Sequence, residues 1–327
     1  MRRTAWVVPV GLLLVVLLLI AAVSIGTVAL MPSDVMRSLR GVGDPTLVAI
    51  VRDLRAPRAV LAALVGAGLS MSGGALQGTL RNALAEPYLL GVSGGAAVGA
   101  VLATALGVAT PTLVTLAAFG GAAAATLLVS AIARAVGGSA DTRMLLMAGV
   151  VVGAFANAAI LVALADAPPE RLRGALWWMM GSAADATWGG VTRLAVAVVA
   201  LGGLLVWWAR ELDVLAMGDE AAAALGVDVN RATRRIFLVA SWLAAATVAA
   251  AGLVGFVGLV VPNVARALGA RRHRAMLLVA AVYGAALMIG ADLVARTVRS
   301  PADLPLGAVT ALIGVPFFLL RLRRLAP

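Results

Sequence analysis

The chain contains no lysine and no cysteine; all 26 basic residues are arginine, and histidine occurs once. Without cysteine, disulfides, iron–sulfur clusters and thiolate metal sites are excluded. Without lysine there is no Walker A loop, which needs that side chain on the phosphates. If ATP drives this protein, another subunit must bind and hydrolyse it. Charge of any kind is scarce, at 13% of residues, while 62% are hydrophobic. The apolar residues fall in long runs rather than along one helical stripe, which excludes a soluble amphipathic core. A run of about twenty apolar residues crosses roughly 30 Å of hydrocarbon. Its backbone groups must be satisfied within the segment, so each run is a helix. The alternating segments of an outer-membrane barrel are missing. The chain therefore reads as an all-α polytopic membrane protein, one transmembrane domain over residues 1–327 in a lipid bilayer.

The formal charge of +11 could suggest nucleic acid, but the arginines sit at the ends of the apolar runs. That is positive-inside patterning, and no nucleic-acid partner is expected. Ten spans are predicted, beginning with about Ala5–Leu30, Ala59–Leu80, Leu89–Val108, Pro111–Val136 and Arg143–Ala165. A short helix at Gly174–Met180 precedes the other five: Val191–Arg210, Arg234–Gly252, Phe256–Leu268, Ala275–Arg296 and Leu306–Leu320. Arg2 and Arg3 imitate a signal peptide, but the first apolar stretch is longer than a typical h-region and reads as a retained helix. With both termini cytoplasmic, sixteen arginines fall inside and nine outside, with Arg193 ambiguous. Five of the outer ones, Arg37, Arg40, Arg52, Arg55 and Arg58, share the loop at about 31–58. Positive charge on the outer side calls for an acidic partner.

The spans hold little that could do chemistry. There is no serine–histidine–acid set and no cluster of membrane carboxylates, so no catalytic residue is assigned and no enzyme activity is expected. His273, in the run Arg271-Arg272-His273-Arg274, reads as a solvated surface residue. Asp292 lies four residues before Arg296, on one helix face, and a structural ion pair explains it as well as a function does. Asn157, Ser70, Ser72 and Gln77 read as interhelical hydrogen-bonders or as pathway-lining groups. Clustered glycines such as Gly66, Gly68, Gly73 and Gly284 read as helix-packing residues. The longest polar interruption on the inner side is about 211–235. Within it, Gly218–Gly226 has strong helix formers closed by a glycine at a plausible C′ position. A short helix in a cytosolic loop is a protein-docking element.

Several motifs then fall in a familiar order: Arg55-Ala56-Pro57-Arg58, Leu64–Gly78, Arg81-Asn82-Ala83-Leu84-Ala85-Glu86-Pro87 and Leu90-Gly91-Val92-Ser93-Gly94-Gly95-Ala96. Gly255–Pro262, Ala291–Arg296 and Pro301–Thr310 continue the series. From about residue 50 onward the chain resembles the permease family of ATP-binding-cassette (ABC) importers for iron-siderophores, haem and cobalamin. The resemblance implies a homodimer or pseudo-dimer of ten-helix subunits with the pathway along their interface. It also implies two cytosolic ATPase subunits, which hold the ATP and magnesium, and an extracytoplasmic substrate-binding protein. It casts Gly218, Asp219, Glu220, Ala221, Leu225 and Gly226 as the ATPase-coupling helix. Arg55, Arg58 and Arg296 become outward-facing arginines that dock the binding protein. Asn82 and Leu84 become the cytoplasmic constriction, with Thr142 a second one, and the short helix with Trp177 and Trp178 lines the outer cavity beside the fifth span, where Asn157 is already a pathway candidate. The chain departs from the family at Ala83, where proline is usual, and at Asn263, where histidine follows the Val-Pro pair.

No resident cofactor or metal is expected, since bare ions would need carboxylate or histidine ligands that the spans lack. A metal chelate, with its charge already hidden, suits such a pathway. The competing class is an ion-coupled secondary transporter of a small organic solute, which would need intramembrane acids for coupling. Asp292 alone is thin support for it, and the docking helix would go unexplained.

Overall fold

The computed structural model describes residues 6–26, 30–108, 110–137 and 141–323, and among them there is helix and loop but no strand. In chain order the helices are α1 (Val7–Ser24), α2 (Pro32–Leu39), α3 (Pro45–Ala49), α4 (Ala56–Thr79), α5 (Val92–Ala105), α6 (Pro111–Gly137), α7 (Thr142–Ala165) and α8 (Pro169–Met180). Then follow α9 (Trp188–Trp207), α10 (Ala209–Leu215), α11 (Asp219–Ala224), α12 (Val229–Ala251), α13 (Val257–Ala267), α14 (His273–Thr297) and α15 (Leu306–Arg323). Among the described residues, seven helical stretches are long and apolar enough to cross a bilayer: α1, the continuous run Pro45–Thr79 that ends in α4, α6, α7, α9, α12 and α14. The shorter apolar helices α5, α13 and α15 match the remaining predicted runs. With eleven residues, α13 rises only about 17 Å. It tolerates this because most of it, from Val257 to Asn263, is buried in protein rather than in lipid.

Burial ranks the helices. The most apolar window of the α4 stretch is 78% buried, that of α12 67%, and that of α1 only 17%. So α4 is the central post, α12 and α14 pack on it, and α1 is peripheral. Without a hydrophobic driving force between helices in lipid, close approach must hold them together. At Gly66 an added Cβ would collide with the Gly284 carbonyl of α14, and at Gly73 with the Gly258 carbonyl of α13. The glycines on α4 are thus packing residues, as their clustering implies. Gly284→Val should lower the thermal unfolding midpoint in detergent, with an overpacking cost of about 1–3 kcal/mol. Gly120→Val is the control, because nothing lies within 4 Å of its Cβ position. Equal midpoints for the two would refute this packing account.

Several boundaries differ from expectation. The 31–58 segment is mostly helical, with a loop only at residues 40–44. Pro32 and Pro45 start α2 and α3, Asp44 caps α3, and a π-helical turn at Ile50–Arg55 runs on into α4. A proline at the first helical position costs no hydrogen bond, which is why these prolines open helices. Likewise α8 starts at Pro169, five residues before the predicted Gly174. Arg231, Arg234 and Arg235 belong to α12, whose cap Asp228 accepts from the Arg231 N–H. Helix α10 was not anticipated. Arg2, Arg3, Arg324 and the predicted ends of the first span at Ala5 and residues 27–29 lie outside the described residues.

Candidate docking surfaces and gate

The predicted docking and coupling residues gather at two ends of the bundle. Arg58 opens α4 and Arg81 follows its last turn, so about 36 Å of helix separates them. At the Arg58 end, Arg55, Arg58 and Arg296 converge on one pocket of about 230 Å³, which Asp303, Pro301 and Gly26 also line. They are not outward-facing in the sense expected. Arg55 is 7% exposed and donates to the Val23 and Ser24 carbonyls at 2.9 and 3.1 Å. Arg58 grips Asp292 with Nε and Nη2 at 2.9 Å and reaches Asp303 with Nη1 at 2.8 Å. Arg296 donates to the Ala22 carbonyl. Positive charge in a poorly solvated place must be paired. That requirement turns all three inward, and the exposed arginine of this turn is Arg52.

The same geometry corrects the reading of Asp292. Its 3.7 Å pair with Arg296 exists, but the shorter contact crosses to Arg58 on α4. Asp292 is therefore the hub of a buried network tying α14, α4 and the segment before α15. Three arginines against two aspartates leave one positive charge over.

At the opposite end, α11 carries the predicted coupling residues. Asp219 and Glu220 occupy its first turn, favourable at the positive end of the helix dipole. Gly226 has φ +80° and closes the helix: its N–H bonds to Ala223 O, and the Val227 N–H bonds to Ala222 O. This is a Schellman closure, which glycine enters without Cβ strain. Ala222 faces in, while Glu220, Gly226 and Leu225 face out, Leu225 at 62% exposure; Met217 beside them is exposed as well. The neighbouring α10 holds the loop in place. Asp213 accepts from both the backbone N–H and Nδ1 of His273, at 2.8 and 2.7 Å. Glu211 pairs with Arg235, whose guanidinium stacks 4.8 Å from the Trp208 ring centre. His273 is thus no solvated surface residue; its side chain is 13% exposed and fastens α14 to α10.

At the same end as α11 lies the α4–α5 turn with Asn82 and Leu84, directly after the last turn of α4. Asn82 Oδ1 accepts from the Leu84 N–H at 2.9 Å, and Leu84 is 46% exposed. The structure brings Asn82 and Leu84 into one turn, while Thr142 begins a separate helix. Gln77 Nε2 donates to the carbonyls of Ala85, Gly258 and Leu259, and its Oε1 accepts from Arg266. Ser72 donates to Ala240 O at 2.6 Å. For Ser72 and Gln77 the interhelical reading stands. Asn263 donates to Ala83 O at 3.3 Å. The two departures from the family pattern therefore touch each other. Glu86, in the same turn, accepts from the Phe256 N–H at the head of α13, and burial raises its carboxyl above the ordinary range despite that bond. Asn157 and Trp177 are exposed on α7 and α8, and Trp178 packs half-buried. No group of three metal-ligating side chains occurs among the described residues.

Known proteins match this arrangement along most of its length. The chain is 43% identical over 282 residues to a cobalamin import system permease protein of Halobacterium salinarum, covering 85% of this chain and 74% of that protein. It is 38% identical to a hemin transport system permease protein of Yersinia pestis, covering 82% and 81%. A solved metal-chelate type ABC transporter in an inward-facing conformation superposes with a TM-score of 0.88 at 27% identity, over 98% of this chain and 99% of that one. The family model for the FecCD transport family matches residues 13–324, which takes in the arginine pocket, the α4–α5 turn and α11 alike. By that match the chain belongs to the FecCD transport family.

Proposed function

We propose that this multi-pass permease of the cytoplasmic membrane is the transmembrane subunit of an ABC importer for a metal chelate, a ferric siderophore, haem or cobalamin. Its relatives are permeases for cobalamin, hemin and iron chelates. The observation that carries the reading is the separation of two unlike surfaces by the length of α4. The arginine-rich end, with Arg52 exposed beside the paired Arg55, Arg58 and Arg296, suits acidic side chains of a binding protein. An exposed short helix at the other suits a groove on a cytosolic ATPase. Ten crossings with both termini cytoplasmic keep α11 on the ATPase side. ATP and magnesium stay on two ATPase subunits, and the permease itself does no chemistry and holds no cofactor.

A homodimer is supported by α7. Its exposed face carries Val150, Val151, Phe155, Leu161 and Val162 together with the polar Asn157. A polar side chain turned to lipid is costly, and a second copy would cover it. Asn157, Trp177 and Trp178 would then line a shared pathway, with Asn82, Leu84 and Thr142 narrowing its inner mouth.

Uptake assays with labelled ferric siderophore, haem and cobalamin test the cargo class; transport of none of them, in a system that hydrolyses ATP, would overturn it. For docking, the buried Arg58 is a poor site for charge reversal, because a third carboxylate would meet Asp292 and Asp303. Arg52→Glu is the cleaner change. It should weaken binding-protein docking, visibly at about 0.05 M salt and less at about 1 M, where the Debye length falls to roughly 3 Å. Salt-independent docking would count against an electrostatic surface here.

A further inference from the structure

Arg81 is one of two non-glycine residues at positive φ among the described residues, at φ 50°. That conformation closes α4 in a Schellman motif, with the Arg81 N–H on Gly78 O and the Asn82 N–H on Gln77 O, at some cost for a side chain with a Cβ. Arg81 Nη2 meets Asp219 Oδ2 at 2.9 Å, across 138 residues of sequence. Asp219 is the first residue of α11, and Arg81 is the residue before Asn82. The two surfaces that the sequence marked separately, coupling helix and constriction, therefore touch through one ion pair.

The gate turn is stiff. Asn82 N–H bonds to Gln77 O at 3.1 Å and Ala85 N–H to Asn82 O at 3.0 Å, while Asn82 Oδ1 holds the Leu84 N–H. Gln77 and Asn263 grip the carbonyls of Ala85 and Ala83 from the other side. A displacement applied at Arg81 therefore moves Asn82 and Leu84 with it rather than being absorbed by a floppy loop. The ion pair itself is solvated, with side-chain exposures of 34% and 51%. Exposed pairs add little to folding stability, so removing this one should leave the fold intact.

We propose that Arg81 is a positioning residue that passes movement of the coupling helix to the gate turn through Asp219. This rests on the ABC-importer reading. The test uses Leu84→Cys as a reporter, the single thiol in a chain without cysteine. The permease–ATPase complex in inside-out vesicles is labelled with a membrane-impermeant maleimide, with and without ATP plus vanadate. With Arg81 present, nucleotide should change the labelling rate about fivefold or more, the lower range of an allosteric coupling. Arg81→Gln should bring that response close to unity while the ATPase still co-purifies and the thermal midpoint holds. Arg81→Asp should also abolish it, and Arg81→Asp combined with Asp219→Arg should restore part of it. A full nucleotide response in Arg81→Gln overturns the proposal. So does loss of response accompanied by an equal loss of stability or ATPase binding. No response in the reporter with Arg81 intact would instead sink the ATP-driven reading on which the proposal stands.

Discussion

Asp292→Ala is expected to destabilise the fold by about 3–5 kcal/mol, the usual consequence of removing one partner from a buried ion pair. Asp292 is 1% exposed and neutralises Arg58 directly and Arg296 at longer range. Without it, the pocket holds three arginines and only Asp303. At the buried position of Asp292 the surplus is poorly solvated, so the charges push α4 and α14 apart at their shared end. Thermal unfolding in detergent measures the loss. Asp292→Asn should fail nearly as badly, because it keeps the shape and removes the charge. Replacing the pair together, Arg58→Met with Asp292→Leu, should recover much of the stability, since buried pairs are often replaceable by packed apolar groups. A double variant no better than Asp292→Ala would show that the network stabilises through something other than charge balance.

Glu220→Arg is expected to abolish co-purification of the ATPase while leaving the permease folded. Glu220 is exposed in the first turn of α11, away from the buried Ala222 that seats the helix. Reversing its charge puts a cation at the positive end of the helix dipole, a local cost of about 0.3–1 kcal/mol that the tertiary fold absorbs. At a partner's surface the same reversal replaces attraction by repulsion, which costs several kcal/mol. Unchanged co-purification would remove α11 as the docking helix.

Much of this arrangement could be read from the residues. The apolar runs declare themselves by length, and the glycine after Ala221–Ala224 announces the end of α11 because only a residue free of Cβ strain enters that turn easily. What stayed hidden are partnerships across the chain. Asp213 and His273 are 60 residues apart, and Gln77 and Arg266 are 189 apart. No local periodicity records such pairings, so His273 read as surface and Asp292 was matched with its neighbour Arg296 rather than with Arg58. Arg55 and Arg58 read as outward-facing for a related reason, while Arg37, Arg40 and Arg52 are exposed as expected. Composition shows that Arg55 and Arg58 sit beside an apolar run, but only packing shows which carbonyls and carboxylates they turn toward. Pro32, Pro45 and Pro169 were legible signals for helix starts that the loop reading passed over.

The central claim is that transport is driven by ATP on a separate subunit. The most direct measurement is uptake of a labelled chelate into proteoliposomes holding the permease and its ATPase, with the binding protein supplied on the outer side. The account predicts uptake that requires ATP inside the vesicles and the loaded binding protein outside, and that ignores proton and sodium gradients. Substrate accumulation driven by an ion gradient in the absence of ATP would contradict it.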